Sequence, residues 1–397
     1  MRLAIYWRCY MTYAVSIETI FSYNAITCSY YKNYILGGVE LKGLILCAGM
    51  GSRLRPLTYS RPKHLLPLIN KPVLFYGIES MIEAGITEIG IVVSPSFKKV
   101  FAEALQRVIP SHIRIELIEQ NEPKGLAHAV SVARSFTQSE EFILYLGDNI
   151  IDGPLKPLIE QFYSDNLDGL VSVSPVEHPE RFGVVEMSGN KISKVVEKPK
   201  NPPSNLAING VYLFREAIYD AIAKIVPSAR GEYEITDAIQ QLIDDQYQLG
   251  IFHSPYWWKD TGLPQDLIIC NQYYLSKIKG INNKGMIDSN SSVSISAIIG
   301  ENTKIVNSVI RGPVMIGPNT TIENCYIGPF TSIAENVTMN SCELENSIVM
   351  ENTVLNEIPH RIDESLIGGD VKMMGSSQIP NRIHMWMGDH TLINFPK

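Results

Sequence analysis

Six cysteines in 397 residues (Cys9, Cys28, Cys47, Cys270, Cys325 and Cys342) include no C-x-x-C pair. A chain of this length needs no disulfide staples, so reduced, buried thiols are the expectation. No run reaches the roughly 18 apolar residues of a membrane span. There is no basic excess either. The 34 Lys and Arg against 41 Asp and Glu leave a net charge of −7, which argues against a general nucleic-acid binder. Charged residues make up only 19% of the chain and hydrophobic ones 45%, so sizeable cores can form and the length suits two or three domains.

Counted by segment, the charge is about +1 over 1–41, about −3 over 42–279 and about −5 over 280–397. The acidity gathers at the C-terminal end and leaves the middle free to hold an anionic substrate. Residues 1–41 hold seven of the 19 tyrosines. Arg8, Glu18 and Lys32 interrupt them, so no clean signal-peptide core appears. They read as an extension, packed or arising from a start placed too far upstream, with the second account favoured. A cytoplasmic protein is expected.

From Leu41 a regular alternation begins. Leu41–Cys47, Ile89–Val93, Ile113–Ile118 and Phe142–Leu146 are short apolar runs of strand type. Helical spacing fills Val73–Ala84, which stops at Gly85, then Lys98–Val108 and Leu126–Phe136. Strand–helix alternation implies a mostly parallel, doubly wound α/β sheet. Ligands of such sheets gather at the carboxyl ends of the strands, where the Gly49 loop and Asp148 fall. Residues 170–214 are richer in strands, and helices are expected at Glu216–Ile225, Thr236–Asp245 and Pro264–Lys279.

Beyond Gly280 the texture changes. Ile299, Ile305, Ile310, Ile316, Ile322, Ile327 and Ile333 recur every five or six residues. One aliphatic per six-residue repeat marks a β-helix, each short strand stacking on the coil below. The division expected is an extension (1–41), an α/β domain (42–279) and a β-helix with its tail (280–397).

Gly49-Met50-Gly51-Ser52-Arg53-Leu54 is neither a dinucleotide fingerprint, because Leu54 replaces the third glycine, nor a Walker A loop. A lone G-x-G more often makes a tight turn than a site. Two cations downstream change that reading: Arg53 leaves the loop and Lys63 follows in Arg61-Pro62-Lys63. Glycines admit backbone N–H groups to a phosphate, and Arg and Lys supply charge.

Gly49-x-Gly-Ser-Arg-Leu-Arg-Pro-Leu-Thr58 followed by Pro62-Lys63-x-Leu-Leu-Pro67 resembles the signature of the sugar-phosphate nucleotidylyltransferases. Six further stretches resemble its glucose-1-phosphate thymidylyltransferase branch: Gln120–Ala129, Tyr145–Asn149, Glu197-Lys198-Pro199, Gly210–Phe214, Arg230–Asp237 and Trp257–Gly262. The likeness runs from about Leu41 to Lys279, and the Ile/Gly repeats resemble the tail of the group's longer members, a left-handed parallel β-helix. It implies Mg²⁺-dependent transfer of a thymidylyl group from dTTP to glucose 1-phosphate, releasing pyrophosphate. The sugar-phosphate oxygen is already anionic, so no protein nucleophile is needed, and catalysis reduces to positioning and charge stabilisation.

The resemblance implies the following roles. Arg53 holds the departing pyrophosphate, with Gly49, Gly51 and Ser52 in the nucleotide loop. Lys63 meets the α-phosphate and the incoming sugar phosphate. Gln120 reads the thymine edge and Gly125 leaves room for its backbone. Lys198 clamps the sugar phosphate, with Glu197, Gly183 and Asn149 near the sugar. Asp148 and Asp260 share the magnesium, a hard cation suited to one or two carboxylates plus phosphate oxygens. Each has an ordinary alternative. Asp148 could cap a helix, Asp260 anchor a turn, and Lys63 and Lys198 be solvated charges. Glu232, Glu234 and Asp237 read as helix-entry structure. His64 departs from the pattern and carries no role.

Two other functions stay open: the same chemistry with UTP or GTP and another sugar 1-phosphate, or a non-catalytic subunit sensing sugar nucleotides. No acetyl-transfer base is evident, since His360, His384 and His390 lie beyond the regular repeats. A structural, oligomerising tail is expected, and with it a homo-oligomer that contacts neither nucleic acid nor membrane.

Overall fold

The computed structural model describes residues 41–375 and 387–394, apart from positions 107, 139, 190 and 281. Save for Leu41, the reading of residues 1–41 lies outside the described residues, as do Cys9, Cys28 and His384. The remaining four cysteines are buried free thiols. No helix of the described residues is long and apolar enough to cross a membrane.

The chain forms two compact units that do not follow the linear division at residue 279. One takes in 42–50 and 73–260; the other takes in 51–72 and everything described from 261 on. In the first, eleven strands are β1 (Lys42–Cys47), β2 (Glu88–Val93), β3 (Arg114–Glu119), β4 (Phe142–Leu146), β5 (Asn149–Ile151), β6 (Gly169–Pro175), β7 (Gly183–Ser188), β8 (Lys191–Glu197), β9 (Leu206–Phe214), β10 (Leu249–His253) and β11 (Trp258–Asp260). The main sheet runs β8-β7-β9-β4-β1-β2-β3, with β6 beside β9 and β10 beside β6. β1 is parallel to both β2 and β4, and β2 to β3, while β9 lies antiparallel to β4. All six residues of β1 are buried, as a strand covered on both faces must be.

The expected helix over Leu126–Phe136 is two pieces, Leu126–Val132 and Arg134–Thr137, broken at Ala133 (φ −88°, ψ 2°). The second piece brings Phe136 against β2 at Gly90, where an added Cβ would lie 2.8 Å from the ring. Helices Val73–Glu83, Ala217–Lys224 and Ile235–Asp244 stand within a residue or two of expectation.

In the second unit the six-residue period becomes a β-helix of the expected left-handed type, built of three parallel sheets. Ile299, Ile316, Ile333, Val349 and Ile367 stack in one sheet, and Ile305, Ile322, Met339 and Leu355 in another. Ile310, Ile327 and Leu344 stack in the third. These side chains form one continuous buried core, each burial contributing about 1.5–3 kcal/mol. Asparagines turn the corners: Asn302, Asn307, Asn319, Asn324, Asn336 and Asn352 all have positive φ. Asparagine tolerates that conformation because its amide bonds locally. The amides also form ladders from coil to coil, as in Asn307 to Asn324 (2.7 Å), Asn324 to Asn340 (3.1 Å) and Asn340 to Asn356 (3.0 Å).

Candidate active site

Strand order reverses beside β1: the chain proceeds to β2 and β3 on one side, then returns to β4 on the other. Such a switch point leaves a crevice at the strands' carboxyl ends. Gly49 is exposed just past β1, and half-buried Asp148 stands just past β4. Gly147 lets the two ends approach, since its N–H donates to the Leu46 carbonyl at 3.0 Å. A Cβ there would lie 2.3 Å from the Cys47 Sγ.

Strand pairing sets the chain at the two acids expected to share a metal side by side. β11 lies antiparallel to β5 with Asp260 opposite Asn149, the residue next to Asp148. Asn149 is buried and held at three atoms. Its Oδ1 accepts from Trp258 Nε1 (2.6 Å), its Nδ2 donates to Asp148 Oδ1 (3.0 Å), and its backbone carbonyl accepts from the Tyr145 hydroxyl (3.2 Å). Gly210 (φ +86°) makes room for it, a Cβ there falling 3.0 Å from the amide. Asn149 therefore orients a carboxylate, a task its expected place near the sugar did not include. Among the described residues no group of three or more His, Cys, Asp or Glu could hold a metal ion. A hard cation at this place would draw its other ligands from phosphate and water.

Gln120, buried at the end of β3, donates from Nε2 to the Gly125 carbonyl (3.1 Å) and faces His128 Nδ1 (2.9 Å). Gly125 has φ +102°, and a Cβ would meet the Tyr233 carbonyl at 2.5 Å. The Tyr233 backbone occupies that space, held by Tyr233 N–H to the Lys124 carbonyl (2.7 Å) and Ala127 N–H to the Tyr233 carbonyl (3.0 Å). Chain packing accounts for this glycine without a base.

Gly183, Glu197 and Lys198 come together at the adjoining ends of β7 and β8, which pair Gly183 with Glu197. A Cβ on Gly183 would lie 2.7 Å from Thr236 and 3.3 Å from Glu197 Oε2. Glu197 accepts from Thr236 Oγ1 (3.3 Å) and pairs with Lys198 Nζ and Arg230 Nη2, both at 3.2 Å. Lys198 sits at φ +41°, a left-handed conformation that costs a non-glycine residue about 1–3 kcal/mol and clusters at functional sites. Burial pushes the Tyr212 hydroxyl well above its ordinary pKa, and the negative charges of Glu197 and Asp148 add to that.

Arg230 was missed by the sequence reading, which weighed only the acids of Arg230–Asp237. Its guanidinium bonds Glu234 (2.8 Å) and Glu197 (3.2 Å) and lies 3.7 Å from Glu232. An arginine among so many acids in one motif was the available signal. Glu234 is buried at the N-cap of helix Ile235–Asp244 and accepts from Ser228 Oγ at 2.7 Å. Burial, then Glu234 and Glu197, raise the Asp237 carboxyl above its usual range.

In the other unit, Gly51 (φ +63°) opens the loop carrying exposed Ser52 and Arg53. Its carbonyl accepts from Thr58 Oγ1 (2.8 Å), and a Cβ would meet the Lys63 stem at 3.1 Å. Lys63 begins a 3₁₀ turn, Lys63–Leu65, with Pro62 as its N-cap. His64 is buried beside it.

A mostly parallel sheet with this switch point is of the class that takes phosphate-bearing ligands at its strand ends. The chain belongs to the nucleotidyl transferase family, whose profile matches residues 42–277. It is 38% identical over 352 residues to the glucose-1-phosphate thymidylyltransferase of Streptomyces griseus, an alignment covering 88% of this chain and 98% of that one. It is 41% identical over 255 residues to the low-salt glycan biosynthesis nucleotidyltransferase Agl11 of Haloferax volcanii, covering 64% and 71% of the two chains. Among solved structures it is similar to a Bacillus anthracis protein provisionally identified as a glucose-1-phosphate thymidylyltransferase and crystallised with a sucrose. That match has a TM-score of 0.55 and 32% identity, covering 58% of this chain and 94% of the other.

Proposed function

We propose that the chain transfers a thymidylyl group from dTTP to glucose 1-phosphate, giving dTDP-glucose and pyrophosphate. The observation that carries the reading is the antiparallel pairing of β5 with β11, whose register has Asp260 opposite Asn149, the residue that follows Asp148 in the chain. Near-full-length similarity to the Streptomyces griseus enzyme supports the choice of substrates.

A sugar-phosphate oxygen attacks the α-phosphorus, the bond from that phosphorus to the bridging oxygen breaks, and pyrophosphate leaves. Each pair of unit charges ~4 Å apart repels by about 4 kcal/mol at an effective dielectric near 20, so cations are required. Arg53 takes the charge of the departing pyrophosphate, and Lys63 that of the α-phosphate and the attacking phosphate. The glycines and Ser52 offer the loop backbone to the nucleotide. Gln120, its Nε2 committed to Gly125, presents Oε1 to a pyrimidine N3–H. Lys198 holds the sugar phosphate, while Glu197 accepts from sugar hydroxyls beside Gly183 and Asn149.

Asp148 and Asp260 are hard oxygen donors of the kind Mg²⁺ takes together with phosphate oxygens, and would hold the ion. When bound, the ion neutralises charge on the polyphosphate. The test is pyrophosphate release with each of four nucleoside triphosphates against a panel of sugar 1-phosphates. The highest kcat/KM is expected for dTTP with glucose 1-phosphate. Preference for GTP, or no turnover with any pair, would overturn the reading.

A further inference from the structure

The segment 51–72, which carries Arg53 and Lys63, packs in the same compact unit as the β-helix. Among the described residues, side-chain ties hold it there. Arg61 makes a two-pronged ion pair with Glu351, Nη2 to Oε1 and Nη1 to Oε2, the second at 3.4 Å. Asn70 Nδ2 donates to the Ile333 carbonyl at 2.8 Å. The Ile69 N–H donates to Asn271 Oδ1 (3.2 Å), which also accepts from Ser332 Oγ (2.7 Å), while Asn271 Nδ2 donates to the Phe330 carbonyl (3.0 Å). The last two ties lie at the far end of the segment, past the turn. The Arg61 pair lies two residues before Lys63, across only Pro62.

Two features make this pair more than a surface bridge. The Glu351 side chain is 6% exposed and that of Arg61 21%, so solvent screening is weak and the geometry bidentate. Gly369 closes over them: a Cβ there would lie 2.7 Å from Glu351 Oε1 and 3.2 Å from Arg61 Nη2. Beyond the pair, Pro62 restricts the backbone, the Leu65 N–H donates to the Pro62 carbonyl (2.9 Å), and Gly51 packs on the Lys63 stem. A displacement at Arg61 has little slack to absorb it before Lys63.

We propose that Glu351 is a positioning residue for nucleotidyl transfer, fixing Lys63 through Arg61, so that the β-helix takes part in building the phosphate loop. The proposal rests on the functional reading above, in which Lys63 meets phosphate in the transition state. A cation misplaced by a fraction of an ångström loses transition-state contact more than ground-state binding. Turnover number is then the sensitive quantity.

The experiment compares full-length wild type with Glu351→Gln, Arg61→Gln, the double variant and Glu351→Asp, at 25 °C and saturating substrates, with thermal melts alongside. Each Gln variant is expected to lose about tenfold in kcat with KM for both substrates within about threefold. The double variant should lose no more than either single, because the two residues act as one unit. Glu351→Asp, which keeps the charge, should recover part of the loss. An anchor that only stabilises would lower Tm and leave kcat of the folded enzyme unchanged, and that result overturns the proposal. Multiplied losses in the double variant overturn it too. Should Glu351→Gln fail to fold, Arg61→Gln decides in the same way. A wild type that releases no pyrophosphate sinks the functional reading itself, whereas full kcat in the variants of an active wild type sinks only the role of Glu351.

Discussion

Glu335 offers a stability test with a definite sign. It is buried in the β-helix, and its carboxyl is pushed from 4.5 up to about 7, first by burial and then by the charge of Glu351, itself paired with Arg61. Between those two values the folded chain binds more protons than the unfolded one, so unfolding free energy falls as pH rises. The contribution is fully present below pH 4.5 and lost as pH climbs through 7. A shift of this size at about 1.36 kcal/mol per unit corresponds to roughly 3 kcal/mol as an upper bound. Glu335→Gln cannot ionise and keeps the shape. At pH 5 it should be more stable than the wild type by less than about 1 kcal/mol, and at pH 8 by about 3 kcal/mol, a Tm gain of a few degrees. The assay is urea unfolding and thermal melting of both proteins from pH 5 to pH 8.5. Parallel curves over that range would show that Glu335 ionises normally and would refute the reasoning.

Asp148→Asn and Asp260→Asn should each abolish turnover and magnesium dependence while leaving the melt within a few degrees; near wild-type rates in either would remove that residue from the metal site. Gly125→Ala combines φ +102° with a 2.5 Å clash against the Tyr233 carbonyl and should cost several kcal/mol, beyond the roughly 1–3 of backbone strain alone. Gly189→Ala, at φ +60° with nothing within 4 Å, is the control and should lose only the strain; equal melts for the two would discount the packing argument. Gln120→Glu sets a carboxylate oxygen where Nε2 donates to Gly125 and should cost about 1–3 kcal/mol, lowering kcat/KM for dTTP and UTP alike. A changed dTTP/UTP ratio would mean that Gln120 also senses the thymine methyl.

Several features were legible in the linear chain because their physics is local. The buried run of β1 ends where glycines begin, and the aliphatic period of the tail follows from each coil stacking on the last. Val73–Glu83 stops before Gly85, which takes φ +87° as a helix end requires. Ala133 was not legible, because an alanine inside an apolar helical pattern carries no break signal. The bend answers to Phe136 meeting Gly90 on another element.

The motifs named Asp148, Asp260, Glu197 and Lys198, and local composition placed Asp148 at a strand end. That Asp260 stands opposite Asn149 depends on the register of two three-residue strands far apart in sequence, and only the assembled sheet sets that register. Arg230 carries no role in the linear chain, and packing sets it between Glu234 and Glu197. The division of the chain was likewise a tertiary outcome. Linear pattern cannot report that 51–72 leaves the α/β unit to pack with the β-helix, nor that Arg61 finds Glu351 across 290 residues. One carboxylate among the 41 acidic residues is chosen by burial and geometry, which short-range pattern does not carry.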